Sequence, residues 1–587
     1  MSWIDSGKVL EGGIVPDVAP LLNRWRGLVV AAPLLLMVFS PLSARAIDES
    51  PALAGKSALF SASPRGAAAL PLLIEQLLHE QEEAGDGSDR LAVASSDAAV
   101  VRLLYYERGY RPLWTSRARM AELIAAVGAS SEHGLAPADF AIDALRQAAA
   151  AGGDDPAFIV RRDLLFTDAL VRLARQLHYG KVNPNSLYST WSFSPVPGAP
   201  ERAQMLGALL EAASLQNALT ALAPQDEAYR ALQKALSRLS ALAAGGGWAS
   251  VPAGPTIRPG ERGPRVRALR ARLQAEGWMA AAVPVVAGAD GTRYDKALVA
   301  GVERFQSAHG LSADGVVGSA TLATLNVSAA ERAAQVRVNL ERQRWVARDM
   351  VADRLLVDIT GFNAELRLDG ATVWSSKVVV GRPARATPVL LDEVQHLVLN
   401  PKWVVPPTIL KQDVIPGVIG NAGYLQKHRL RVVDRSGQAV AAAQVDWNGV
   451  ARTGFPYRVV QESGAGGALG QVKFSLSNGY AIYLHDTPSR AQFGKPLRAL
   501  SSGCVRLEKP RDLALLLLGD PDRWSKDTLD AAIATGRTQT LSVGRYVPVM
   551  LLYRTAVADP TGLVSFRADI YNQDGPVLAL LDRQPRP

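Results

Sequence analysis

Apolar residues recur at helical spacing through the first part of the chain and alternate in the last part. Within Phe166 to Leu177, the residues Phe166, Leu170, Leu173 and Leu177 make one stripe, with Arg172, Arg175 and Gln176 off it. Gly180 offers a stop just beyond. Leu232, Leu236 and Leu239 repeat the pattern between Tyr229 and Leu242. The spacing predicts a packed helical scaffold over residues 97–250, with no catalytic constellation in it. Residues 258–328 read as a compact unit of three helices. Pro264 opens the first, whose Val266, Leu269 and Leu273 share a face, and Gly277 ends it. Leu298, Val302 and Phe305 mark the second, with Gly310 just beyond. After a turn at Asp314-Gly315, Leu322 and Leu325 mark a short third.

From Arg354 onward the period changes. Leu366, Leu368 and Val373 alternate with polar residues, and Asp369-Gly370 is a hairpin turn signal. Short β-rich runs follow at Lys377 to Val380, His396 to Leu399 and Tyr480 to Leu484. This predicts a mainly-β domain over residues 335–587. Between about 406 and 464 the pattern is irregular, with Pro, Gly and few clean strands. An insertion of that length is either a lid over a site or a plain surface loop. The fold class is therefore multidomain α + β.

The length, 587 residues, is too great for one core and suggests roughly three or four domains. The net charge of +9 favours a polyanionic partner such as a carboxylate-rich wall or an anionic membrane surface. No dense Lys/Arg run is interleaved with aromatics, which argues against nucleic acid. Arg24 and Arg26 precede the apolar run Gly27 to Leu42, and Ala44-Arg45-Ala46 fits a small-x-small cleavage site. Residues 1–46 thus read as a secretory signal, with an uncleaved N-terminal membrane anchor as the alternative. Residues 47–96 read as a flexible tether with one short helix around Leu70 to Leu78.

Cys504 is the only cysteine, so it has no partner for an internal disulfide or a thiolate metal site. Export would make a single retained thiol more telling, since stray thiols form wrong disulfides in an oxidising compartment. It sits in Ser501-Ser502-Gly503-Cys504-Val505-Arg506, with His485 nineteen residues upstream. A thiolate attacks and a thiol does so poorly, so a nearby imidazole that takes the proton points to nucleophilic catalysis. The competing reading is a buried small hydrophobe. The other six histidines, His79, His133, His178, His309, His396 and His428, lack metal-ligand spacing. With no Walker A loop and no dinucleotide fingerprint, the sequence predicts neither a metal nor a cofactor.

Two stretches carry a family resemblance. Phe305 to Leu311, Asp314 to Gly318 and Leu325-Asn326 resemble the three-helix peptidoglycan-binding domain. Val378-Val379-Val380-Gly381-Arg382, Thr387-Pro388, His485 and the segment Ser501 to Arg506 resemble the L,D-transpeptidase catalytic domain. Asn400 to Pro407, Ala468 to Phe474 and Phe566 to Tyr571 resemble the large Gram-negative branch of that family. That branch joins a helical scaffold, a peptidoglycan-binding domain and a catalytic domain with a capping insertion. Where the family tends to carry Pro and Asn, this chain has Ser463-Gly464-Ala465-Gly466-Gly467, which changes the rim of the site.

The resemblance implies a periplasmic transpeptidase making 3–3 cross-links between peptidoglycan stem peptides, releasing D-Ala and needing no cofactor. It implies Cys504 as nucleophile and His485 as base, with backbone N–H groups around Gly503 and Cys504 as oxyanion donors. Ser502 belongs to the same supporting loop. Arg506 either holds that loop or binds a substrate carboxylate. Tyr483 and Trp403 are candidates for lining the donor pocket. Asp486 would point away from His485 on a continuing strand, so a backbone carbonyl is expected to orient the imidazole. The family also implies covalent inhibition by carbapenem-type β-lactams. Hydrolysis of the acyl group, attachment of an outer-membrane lipoprotein, and an inactive wall-binding scaffold are the alternatives.

Overall fold

The computed structural model describes residues 69–84, 95–280, 291–450, 454–464 and 466–584. The leader or anchor read in residues 1–46 lies outside the described residues, as does most of the tether. The short helix read around Leu70 to Leu78 is present and longer than expected. Leu70–Ala84 is a helix that puts Ile74 and Leu78 into the helical core, and the next helix, Ser95–Tyr106, follows closely. An apolar face at spacings of three and four is enough to bind that segment to the scaffold.

The scaffold is built around the helix Pro156–Tyr179, opened by Asp155 accepting from Phe158 N at 3.1 Å and closed at Gly180, φ 91°. Phe166, Leu170, Leu173 and Leu177 are all buried. Gln176, expected off the stripe, is buried too, because this helix is packed by neighbours on more than one side. The three-helix unit follows as Pro264–Glu276, Lys296–Ala308 and Ser319–Leu325, around Val266, Leu269, Leu273, Leu298, Val302, Phe305 and Leu325.

A boundary at 335 falls inside one helix, Ala329–Val346, started by a Ser328/Glu331 capping box. Ala333, Val336 and Leu340 pack into the scaffold core, whereas Val338, Trp345 and Val346 pack into the β core. Arg344, fully buried on this helix, donates to His133 O at 2.7 Å and Tyr229 OH at 2.8 Å and pairs with Glu341 at 2.5 Å. Helical and β parts are thereby joined by one rigid element.

In the β domain, Asn363–Leu368 and Ala371–Gly381 form a hairpin whose turn residues Asp369 and Gly370 both have positive φ, 50° and 76°. Leu366 and Leu368 are buried, but Val373 is 45% exposed and Trp374 is buried instead. A bulge between Leu366 and Arg367 shifts the register, so strict alternation fails there. Ala371–Gly381 pairs along its first part with Asn363–Leu368 and along its second with Val505–Leu507 and Ala499–Ser501. The path of paired strands then runs through Leu484–His485, Val472–Leu476, Leu390–Leu399, Pro548–Leu552 and Arg354–Asp358 back to its start. The expected strand Tyr480 to Leu484 is reduced to Leu484–His485, since Ala481 takes φ 56°.

The insertion is better ordered than its sequence suggested. Trp403–Val404, Arg458–Gln461, Leu430–Val433 and Ala439–Val440 form a separate four-stranded sheet in that order. Val405, Val414, Val418, Leu425, Leu430, Val432, Val445 and Val459 give it a small core of its own. The strands are too short to show a period.

Asp358, fully buried in the β domain, pairs with Arg567 and with Arg554 at 2.8 Å, and accepts from Gly361 N at 3.0 Å. Burial alone would raise its pKa; the two arginines overcome this and hold it at about 2. A carboxylate depressed in the folded state stabilises the fold above the unfolded pKa and loses that contribution as pH falls through the folded value. Asp358→Asn is expected to destabilise the protein by about 3 kcal/mol at pH 7. Thermal unfolding at pH 7 and near pH 2 checks this, because the gap between wild type and variant should close at the acid end.

Candidate active site

Cys504 leads into the strand Val505–Leu507, which pairs in parallel with Leu484–His485. Gly503, at φ 116°, makes the bend before it, and a Cβ there would lie 3.3 Å from Ile482 Cδ1. Three side chains hold this bend and the turn beside it. Ser501 Oγ donates to Cys504 O at 2.6 Å and accepts from Gly503 N at 3.1 Å. Thr387 Oγ1, fully buried, donates to Gly503 O at 2.6 Å and accepts from Gly381 N at 2.8 Å. Tyr571 OH donates to Gly381 O at 2.6 Å and accepts from Thr387 N at 3.2 Å. Gly503 N–H is therefore already used, and of the two N–H groups expected to serve an oxyanion, that of Cys504 is the better placed.

Cys504 and His485 line one cavity of about 550 Å³, together with Ser502, Gly503, Arg506, Tyr483 and Trp403. All seven residues singled out by sequence thus meet in one place. The roof comes from the insertion, through Pro406, Thr408, Ile409, Asp413 and Tyr424. His485 is buried, and its Nδ1 meets Asp486 O at 2.5 Å. A carbonyl only accepts, so Nδ1 carries the proton and Nε2 is unprotonated. The Asp486 carboxylate is turned away: it accepts from Gln471 N at 2.9 Å and pairs with Arg490 at 3.5 Å.

The cysteine thiol donates to Ala481 O at 3.5 Å and does not bond directly to the imidazole. Contacts of this kind often tighten only when substrate binds. The Tyr483 phenol and the Trp403 side chain line the same cavity as the sulfur, and the phenol bears on the charge of the thiol. The Tyr483 and His485 rings lie 5.6 Å apart. Arg506 Nη1 donates to Gln492 Oε1 at 2.9 Å, which favours a loop-holding part over carboxylate binding.

Burial pushes the Cys504 thiol above its ordinary pKa, against the pull of the Tyr483 backbone N–H and phenol and the charges of Lys473 and Arg506. Burial, reinforced by Arg506, pushes His485 down to about 3. At neutral pH the resting pair is thus a neutral thiol and a neutral imidazole. An arrangement of this kind suits proton transfer during attack rather than a preformed thiolate.

Several contributors escaped sequence reading. Lys473 stands opposite His485 in the strand register, and its Nζ lies 4.3 Å over the Tyr483 ring. Arg385 Nη1 donates to Ser502 Oγ at 3.0 Å. Thr387 and Tyr571 lay within the matched motifs but gave no sign of which group they would hold. In the three-helix unit, the motif residue Gln306 binds the Asp314-Gly315 turn, at 3.0 Å to Asp314 Oδ1 and 2.9 Å from Gly315 N. Among the described residues no group of three or more His, Cys, Asp or Glu side chains is placed to hold a metal.

Residues 352–540 match the family model described as "L,D-transpeptidase catalytic domain". Residues 262–325 match that of a "Putative peptidoglycan binding domain", and residues 99–236 match a "Scaffold domain". A "Putative L,D-transpeptidase" of Haemophilus influenzae is 36% identical over 220 residues, covering 38% of this chain. The match spans 44% of that relative's length. The crystal structure of an L,D-transpeptidase from Xylanimonas cellulosilytica covers 51% of this chain and 99% of its own, at 16% identity and a TM-score of 0.16. A likeness that low adds nothing to the assignment. The three matches follow one another along the chain as scaffold, peptidoglycan-binding and L,D-transpeptidase catalytic domain.

Proposed function

We propose that the protein is a periplasmic L,D-transpeptidase that forms 3–3 peptidoglycan cross-links by cysteine acyl transfer. Cys504 Sγ attacks the carbonyl of the third residue of a donor stem tetrapeptide, while His485 Nε2 takes the thiol proton. The oxyanion is met by the Cys504 N–H, a contact whose loss typically costs about 3 kcal/mol in barrier. Collapse breaks the bond to the terminal D-Ala, whose amine takes the proton from His485, and leaves a thioester. An acceptor amine then attacks the thioester, giving its proton to His485, and the thiol is restored.

The observation that carries this reading is the joint placement of Cys504 and an Asp486-oriented His485 in one roofed cavity. The peptidoglycan-binding match supports wall peptides as the substrate and an exported location. A separate capping unit over the cavity supports a peptide held under cover rather than free access of water. Purified tetrapeptide muropeptides, followed by mass spectrometry, test the reading: cross-linked dimers are expected. Loss of D-Ala without dimers would assign a carboxypeptidase instead. Incubation with a carbapenem should add one drug mass to the intact protein, and a folded sample that gains none would rule out an active transpeptidase.

A further inference from the structure

We propose that Arg385 and Arg382 form the binding site for the free carboxylate of the donor's terminal residue, and that Asp413 of the capping unit occupies it at rest. The inference builds on the transpeptidase reading of Cys504. Arg385 Nη1 and Nη2 meet Asp413 Oδ2 and Oδ1 at 2.5 and 2.7 Å, the two-pronged geometry a guanidinium makes with any carboxylate. Arg382 Nη2 lies 3.7 Å from the same carboxylate. Two cations thus converge on one carboxylate group. Arg385, Asp413, Ser502 and Cys504 line the same cavity, and Arg385 Nη1 also touches Ser502 Oγ, two residues before the nucleophile.

The two sides of this contact have different anchors. The arginine side chain is 7% exposed, and its turn is tied to the nucleophile loop through Arg382 N donating to Ser501 O at 2.9 Å. Asp413 is 35% exposed and comes from the capping unit, on the π-helical turn Leu410–Val414. Such turns interrupt the regular ladder and are frequent at functional sites. The other arginine lining the cavity is engaged elsewhere: Arg506 donates to Gln492, and the nearby Lys473 sits over the Tyr483 ring. If Asp413 withdraws, Arg385 faces the cavity uncompensated with Arg382 close behind it, and an incoming peptide carboxylate restores the balance. The ligand class is therefore a peptide ending in a free α-carboxylate, one residue beyond the carbonyl that Cys504 attacks.

The test is steady-state kinetics of the full chain with two tetrapeptide donors, one with a free C-terminal carboxylate and one amidated. Wild type should favour the free acid by about tenfold or more in kcat/KM, and Arg385→Gln should cut that preference to about twofold. Arg385→Lys should restore part of it. Asp413→Asn should lower KM for the free acid about threefold and leave the amidated donor unchanged, since an internal competitor is removed. Equal use of both donors by wild type, an intact preference in Arg385→Gln, or a raised KM in Asp413→Asn would overturn the proposal. Carbapenem adduct formation separates the two levels. No adduct on wild type removes the transpeptidase reading, whereas adduct and product without carboxylate preference removes only this site.

Discussion

Replacing Cys504 by alanine is expected to abolish product formation, by at least about a thousandfold, while leaving the protein folded. The side chain contributes one weak bond, from the thiol to Ala481 O at 3.5 Å. The bend around it is held by other groups: Ser501 Oγ binds Cys504 O and Gly503 N, and Thr387 binds Gly503 O. All three of those contacts use backbone atoms that alanine keeps. The thermal midpoint should therefore move little, corresponding to roughly 1 kcal/mol or less. Because Cys504 is the only cysteine, a drug thioester seen on the intact protein has a single address, and the variant should gain no mass. Retained turnover would remove the nucleophile assignment. A variant that fails to fold would make the thiol a core residue instead.

Replacing His485 by alanine is expected to slow acylation by about 10²- to 10⁴-fold. In wild type the thiol is raised by burial and the imidazole is held at about 3, so attack needs proton transfer to Nε2. Without that base only the small thiolate fraction reacts, and the variant's rate should climb with pH until the thiol itself ionises. Acylation rates across pH, read by intact mass, check this; an unchanged rate would assign another base. Stability gives a second reading. His485 has a folded pKa below its unfolded value, so the unfolded chain takes the proton first. The imidazole therefore weakens the fold progressively as pH falls from about 6.5 towards about 3. His485→Ala should lose that share of the acid sensitivity in thermal unfolding.

Local signals carried much of this. Helical stripes such as Phe166, Leu170, Leu173 and Leu177 became buried faces, because a helix with one apolar side has few other ways to hide it. Asp369-Gly370 became a turn because both positions need positive φ. Sequence reading failed where the element was too short for a period. The capping unit has strands of two to four residues, and its core is assembled from residues spread between Val405 and Val459. Val373 was misassigned because one bulge reversed the facing of what followed.

The sequence by itself determined the chemistry on offer: one thiol, an imidazole nineteen residues before it, small residues at the bend, and the order of the domains. Each of these is a property of residue type and near neighbours. Tertiary structure decided how that chemistry is poised. Arg385 reaches Ser502 across 117 residues of chain, and Thr387 reaches Tyr571 across 184. Such partners are set by strand pairing and by how the capping unit docks, and no local spacing encodes them. Burial, which exists only in the folded chain, sets both the thiol and the imidazole neutral, and docking of the cap leaves its Asp413 on the arginine that holds Ser502.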